Sequence, residues 1–274
     1  VEAQMAIRLY YMTRRDGGLN FGDDLSPLVL AHATGQSVEP ATIADCDVIG
    51  LGSLLQECVK PARIARLTLR RLSGRPRPLV WGTGLISNRR AVLTMRHLRV
   101  LAVRGPETAA ACGLGATLPM GDPGLIVAGM MQPRRHPPRH ALGLIAHYAD
   151  EKSPELAAAR AALPKALQIP VDAPAMEVVA AIADCAVILS SSLHGLIVAD
   201  ALGIPNARLH FTDRVQGGDF KFLDHAASVG RPPLLPEATL PDPDEVAARD
   251  YRYQAGLPAI ARRLVTVIRD ALRD

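Results

Sequence analysis

The stretch from Ala186 to Pro205, AVILSSSLHGLIVADALGIP, holds the residues best suited to chemistry. Ser190, Ser191, Ser192 and His194 crowd together there, with Gly195 next in line. Hydroxyls can hold an anion, and an imidazole titrates near neutral pH, so it can give or take a proton. The elements that must position them are legible in the flanks. Ala186 to Leu189 is a short apolar run rich in β-branched residues, which suits a strand buried on both faces of a parallel sheet. From Leu193 the apolar residues recur as Leu193, Leu196, Ile197 and Ala201, a helical spacing that stops at Gly203 with Pro205 just beyond. The serines and His194 therefore fall at the carboxyl end of a strand and in the first turn of a helix, where unpaired backbone N–H groups attract anions. A helix cap explains one serine. It does not explain three and a histidine.

The same placement recurs along the chain. Ala6 to Tyr11 reads as a strand that opens into a loop with Gly17, Gly18 and Gly22, so Asn20, Gly22 and Asp23 stand between a strand and a helix. Asp23 is read equally as a capping acid or as a working carboxylate. Cys46 to Gly50 leads into GLGSLL, with Ser53 at the mouth of a glycine-rich turn. Leu55 replaces the third glycine of a dinucleotide fingerprint there. PLVWGT delivers Thr83, and the strand His97 to Val103 delivers Arg104 just before the helix start at Gly105 and Pro106. A planar guanidinium at a strand tip suits phosphate or carboxylate, although it could equally be a solvated surface group. Leu118 to Ile126 reads as a strand-and-turn segment in which Asp122 stabilises the turn. In the second half His147 ends the strand Ala141 to Tyr148, and Ala207 to Phe211 is a further strand. Lys221 then enters a helix after a loop loosened by Gly217 and Gly218.

Alternating strands and helices predict an α/β protein with two Rossmann-like domains facing across a cleft. The first spans residues 1–130 and the second 141–245, with the proline-rich MQPRRHPPRH at 131–140 as linker and a helical segment, 246–274, packing back on the first. The net charge of +4 comes from arginines scattered through turns and helix faces, and aromatic residues make up only 4% of the chain. That composition argues against nucleic acid and for an anionic small molecule. The four cysteines show neither CxxC pairing nor ligand spacing to histidine, so no metal site and no cofactor are expected. No apolar run reaches membrane-spanning length and VEAQMAIRLYYM lacks the blocks of a secretory signal. The expectation is a cytoplasmic protein with at most peripheral membrane association. A P-loop sequence and a G-x-S-x-G elbow are both lacking, which sets aside P-loop enzymes and serine hydrolases of that type.

The set NFGDDL, GLGSLL, WGTGL, VRGPET, GDPGL, GLIAHY and SSLHGLIVADALGIP, followed by GGDFKFLDH, resembles the polysaccharide pyruvyl transferase family over nearly the whole chain. The resemblance implies a GT-B-like fold and transfer of pyruvate from phosphoenolpyruvate to sugar hydroxyls, usually as a cyclic ketal, on bacterial exopolysaccharide or cell-surface glycan precursors. Its partners would be phosphoenolpyruvate as donor and a sugar acceptor, for instance a lipid-linked oligosaccharide. By position in SSLHG, His194 would be the general acid. His147 would be a second donor or proton carrier, and Asp23 the base or acceptor-orienting group. Asn20, Gly22, Ser53, Thr83, Arg104, Ser190, Ser191, Ser192, Gly195 and Lys221 would bind substrate. The family often carries an arginine two residues before that histidine, where this chain has Ser192. Arg208, Arg214 and Lys221 are the cations that could stand in. Two other readings stay open: a nucleotide-sugar glycosyltransferase on the same architecture, and a non-catalytic anion- or carbohydrate-binding partner in polymer assembly.

Overall fold

The computed structural model describes residues 6–14, 17–132 and 136–273, and among them nine strands form two parallel sheets. The first sheet contains β1 (Ile7–Tyr10), β2 (Val38–Pro40), β3 (Val48–Ile49), β4 (Leu79–Trp81) and β5 (Arg99–Ala102), in the order β2-β1-β3-β4-β5. The second contains β6 (His140–Ile145), β7 (Leu167–Gln168), β8 (Cys185–Ser190) and β9 (Asn206–Arg208), in the order β7-β6-β8-β9. Every pairing is parallel, so each connection is a crossover and both sheet faces are covered. This is why the central strands read as unbroken apolar runs. The fold is α/β with two Rossmann-like sheets.

Leu9, Phe21, Trp81, Ile145 and Ile188 belong to one buried cluster that continues from one sheet to the other. The helix Leu257–Ala271 joins it through Leu264 and Ile268, and Trp81 Nε1 donates to the Leu264 carbonyl at 2.9 Å. The end of the chain thus packs on the first sheet. A 3₁₀ helix, Pro123–Met130, packs against the helices Phe21–Thr34, Leu193–Ala201 and Leu257–Ala271. It seals the join between the lobes.

Several boundaries differ from expectation, each for a local reason. The segment 118–126 is not a strand: only Met120 bridges to Val103, and Pro123 then starts the 3₁₀ helix. Asp122 does hold that turn, its Oδ1 accepting from Gly124 N at 2.9 Å. β2 escaped the sequence reading because it is a half-exposed edge strand ending in proline, with no apolar run. The apolar spacing from Ala175 predicts a helix through Cys185, but the helix is Ala175–Ala183 and Cys185 opens β8. His140 begins β6 rather than ending the linker, of which residues 133–135 lie outside the described residues. The four cysteines are buried free thiols, and burial pushes Cys46 and Cys112 up to about 12. No helix among the described residues is long and apolar enough to cross a membrane.

Candidate active site

The first turns of the helices Phe21–Thr34 and Leu193–Ala201, one from each lobe, meet at the join. Their contact is close enough to require glycine: a Cβ at Gly22 would lie 2.2 Å from Nδ1 of His194. A Cβ at Gly52, where φ is +94°, would lie 3.6 Å from Asp23 Oδ1 and 4.0 Å from His194 Cε1. Gly22, Asp23, the turn at Gly52 and His194 therefore form one cluster. Residues 171 positions apart in the chain reach it because both sheets turn their loop-bearing ends to the same seam.

Burial shapes the acid–base behaviour there. Asp23 accepts from Asn20 Nδ2 at 2.5 Å, yet burial pushes its carboxyl up to about 6, with the neighbouring Asp24 charge adding to the rise. The His194 side chain is half-buried and its Nε2 is enclosed without a hydrogen-bond partner. Burial holds its pKa down, Asp122 works against that, and Lys221, Arg104 and His225 add to it. Asp122 Oδ2 is likewise enclosed and unpartnered. His147 is pushed down to about 3, by burial first and then by Lys221 and His194. Its Nδ1 accepts from Ala149 N at 3.1 Å, so the proton of the neutral ring is on Nε2. His147 thus caps the turn through Nδ1 and keeps Nε2 as an N–H donor.

The serines divide sharply. Ser190 Oγ donates to the Ser192 carbonyl and accepts from Ser192 N, both at 3.0 Å, which locks the strand-to-helix turn. Gly195 packs on that lock, since a Cβ there would fall 2.5 Å from Ser190 Oγ. Ser191 Oγ donates to Asp150 Oδ2 and accepts from His147 N, both at 2.9 Å, while Thr212 donates to Asp150 Oδ1 at 2.6 Å. Of the three, Ser192, at the N-cap position with no capping bond, has a hydroxyl without a hydrogen-bond partner among the described residues.

The first lobe's other candidates hold one another rather than a ligand. Thr83 Oγ1 donates to the Gly52 carbonyl at 2.8 Å and accepts from Leu54 N at 3.0 Å, stapling that turn. Arg104 is 0% exposed: Nε donates to Asp224 Oδ2 at 3.0 Å, Nη1 to Ser53 Oγ at 3.0 Å and Nη2 to the Leu85 carbonyl at 2.6 Å. Asp224, equally buried, also accepts from Thr108 N and Oγ1. The expected anion grip of Arg104, with Ser53 and Thr83 beside it, is thus replaced by an internal tie between the first sheet and the helix Phe220–Val229. Arg104 still contributes positive field at His194.

Lys221 differs from all of these. It is 7% exposed and has no hydrogen bond among the described residues, and its Nζ lies 5.3 Å from the Phe222 ring centroid. Burial, then Arg104 and Arg208, push its pKa down to about 8, opposed by Asp150 and Asp23. Its charge is felt by Asp23, His147 and His194 alike, which places it at the electrostatic centre of the cluster. Of the other two cations, Arg208 is held by the Leu234 carbonyl and Asp219 and stacks 3.7 Å over Phe222, beside a cavity of about 410 Å³ that Asp150, Ser191 and Gly217 also line. Arg214 is exposed at a different cavity, with Tyr148. Asp150 and Asp224 were missed in the sequence. The signal for Asp150 was a carboxylate three residues past His147 at the same sheet edge, and for Asp224 an acid inside the apolar run KFLDHAA.

Among the described residues no group of three His, Cys, Asp or Glu side chains gathers as metal ligands would. The structure is similar to a functionally uncharacterized protein of Klebsiella pneumoniae, with a TM-score of 0.44 and 11% identity over 77% of this chain and 85% of that one. It is also similar to ADP-heptose lipopolysaccharide heptosyltransferase II of E. coli, with a TM-score of 0.35 and 12% identity over 94% of this chain and 99% of the other. An uncharacterized protein of Acanthamoeba polyphaga mimivirus is 28% identical over 159 residues, 56% of this chain and 55% of that protein. The chain thus spans about half the length of the curated relative it matches. The sequence profile of one family matches residues 6–209, which include Asn20, Asp23, His147 and His194. By that match the chain belongs to the polysaccharide pyruvyl transferase family.

Proposed function

We propose that this chain is a pyruvyl transferase that moves pyruvate from phosphoenolpyruvate to sugar hydroxyls, as a ketal, on a bacterial exopolysaccharide or cell-surface glycan precursor in the cytoplasm. The observation that carries this reading is Lys221. A buried, uncommitted cation acting on two neutral histidines and a raised carboxylate suits a small, highly charged acid that must be protonated. Ser192, where the family often has arginine, leaves room for that amine to serve as the donor's counter-ion.

The step then balances as follows. His194 delivers a proton to the methylene carbon of phosphoenolpyruvate, and positive charge develops at the adjacent carbon. A sugar hydroxyl bonds to that carbon and its proton goes to Asp23. The carbon–oxygen bond to phosphate breaks, Lys221 and the N–H groups of the helix start Leu193–Ala201 stabilise the departing phosphate, and a second hydroxyl bonds to the same carbon to close the ketal, its proton going to the His194 ring that gave one up. His147 donates its Nε2 proton as a hydrogen bond to the bound acid. Burial first, and then the charges of Lys221, Arg104 and His225, disfavour the charged form of His194. The donor's negative charge reverses that, so binding the anion and loading the proton are one event.

Incubation with phosphoenolpyruvate and an oligosaccharide or lipid-linked acceptor is expected to release phosphate and add a pyruvyl methyl signal to the acceptor's proton spectrum. Tight binding of a nucleotide sugar without binding of phosphoenolpyruvate would replace this reading by a glycosyltransferase. Saturable phosphoenolpyruvate binding with no turnover on any acceptor would make the protein a binding partner.

A further inference from the structure

The arginines are not scattered once they are placed on the fold. From Lys60 to Arg104 the chain carries eleven arginines and one lysine with no aspartate or glutamate, leaving nineteen of the 31 basic residues to set against all 27 acidic ones. Inside this stretch Lys60 pairs with Glu57, Arg75 with Asp45 and Arg104 with Asp224, while Arg70 is buried on the Pro76 and Ala44 carbonyls. Arg66, Arg71, Arg77, Arg89, Arg90 and Arg96 are exposed.

The same stretch exposes leucines. The helix Pro61–Leu72 buries only Leu67 and Arg70, and presents Leu69 and Leu72 to solvent at 65% and 78% exposure. On the next element, Val92–Met95, Leu93 is 75% exposed and Val92 49%. Leu69, Leu72 and Leu93 are the three most exposed large apolar side chains among the described residues. The two elements cover the same face of the first sheet, since Leu67, Ala91 and Leu98 share one core cluster. Between them His97 is buried, its Nε2 accepting from Arg96 Nε at 3.1 Å. The exposed leucines and arginines therefore share one face of the first lobe. The loop that carries Arg89 and Arg90 starts at Leu85 and Ile86, which touch Arg104 and Gly217 at the rim of the candidate site.

We propose that this face docks on an anionic phospholipid bilayer, with Leu69, Leu72, Val92 and Leu93 entering the headgroup boundary and the surrounding arginines meeting the lipid phosphates. Protruding aliphatic side chains among six exposed arginines match that surface in both chemistry and charge. Nucleic acid would call for aromatic stacking, but the one aromatic residue of the stretch, Trp81, is fully buried. Docking would hold the rim of the site at the membrane surface, where a lipid-anchored acceptor presents its sugars. The docking itself does not depend on which group is transferred.

The test is sedimentation of the full chain with vesicles of phosphatidylcholine alone or with about 30% phosphatidylglycerol. Binding is expected only to the anionic vesicles, with loss as salt rises toward about 0.5 M. The pair Arg89→Gln and Arg90→Gln should weaken binding about fivefold per arginine. Leu72→Ser with Leu93→Ser should abolish it while circular dichroism and phosphoenolpyruvate binding stay unchanged. Equal binding to neutral vesicles, no vesicle binding, unchanged binding by these variants, or binding of single-stranded DNA or an acidic protein in place of vesicles would each overturn the proposal. Failure of the transferase assay with vesicle binding intact would remove the catalytic reading alone.

Discussion

The two walls of the seam carry similar inventories of polar residues and use them in opposite ways. On the first-lobe wall Ser53, Thr83 and Arg104 are bonded to neighbours, and the guanidinium spends all three of its nitrogens inside the protein. On the second-lobe wall Lys221, the Ser192 hydroxyl and the His194 ring keep atoms without partners. A buried polar group that folding satisfies holds structure, and one that folding leaves open is held ready for a ligand. The comparison yields a division of labour: changes on the committed wall should alter stability, and changes on the open wall should alter turnover.

The largest effect is expected at His194. Replacing it by glutamine, which keeps bulk against Gly22 but removes the titrating nitrogen, should lower pyruvyl transfer by about a hundred- to ten-thousandfold. The denaturation midpoint should barely move. Transfer retained at the parent rate would remove His194 as the proton donor and dissolve the division at its strongest point.

The opposite outcome is expected at Asp224. Asp224→Ala strands the Arg104 guanidinium in a site with 0% exposure and should cost roughly 3–5 kcal/mol of stability, read by chemical denaturation. Near-parent stability would show that water reaches Arg104 and that the first-lobe wall is not committed. For Lys221, loss of a charge-assisted contact predicts that Lys221→Met raises the KM for phosphoenolpyruvate about ten- to hundredfold. Lys221→Arg should recover part of it. The parent affinity should also fall as pH rises through about 8, where the amine loses its proton. A flat profile there would assign the anion to another cation.

Much of this arrangement was readable before folding, and the boundary of what was readable has a physical cause. The strand-turn-helix at 186–205 shows in the sequence because apolar periodicity changes within a few residues, and polar groups at that change must lie at a strand end. His194, Asp23 and Lys221 were found that way. The fate of Arg104 was not readable, because its partner Asp224 lies 120 positions away on a helix of the other lobe, and a strand-tip arginine looks the same whether tied or free. The segment Leu118 to Ile126 reads as strand and turn, yet from Pro123 the chain forms the 3₁₀ helix that three other helices enclose. Burial on all sides produces the same composition in either element.

Asp23 offers the finest test, because it stands on the first lobe yet belongs with the open groups. Its carboxyl is pushed from 3.8 up to about 6, so between those values the folded chain binds the proton more tightly than the unfolded chain does. Stability from this group is therefore fullest below pH 4, falls as pH rises through 6, and stays reduced at neutral pH. Asp23→Asn removes the cost of a buried charge while keeping the shape and the contact with Asn20. It should stabilise the protein at pH 7.5 by about 1–2 kcal/mol, with no gain at pH 4. Pyruvyl transfer should fall at the same time, since the hydroxyl proton loses its acceptor. A variant both more stable and less active at pH 7.5 is what an ionised, catalytically poised carboxylate demands. Loss of stability at pH 7.5 would show instead that Asp23 is a capping acid that holds the helix start, and the open set would then lie wholly on the second lobe.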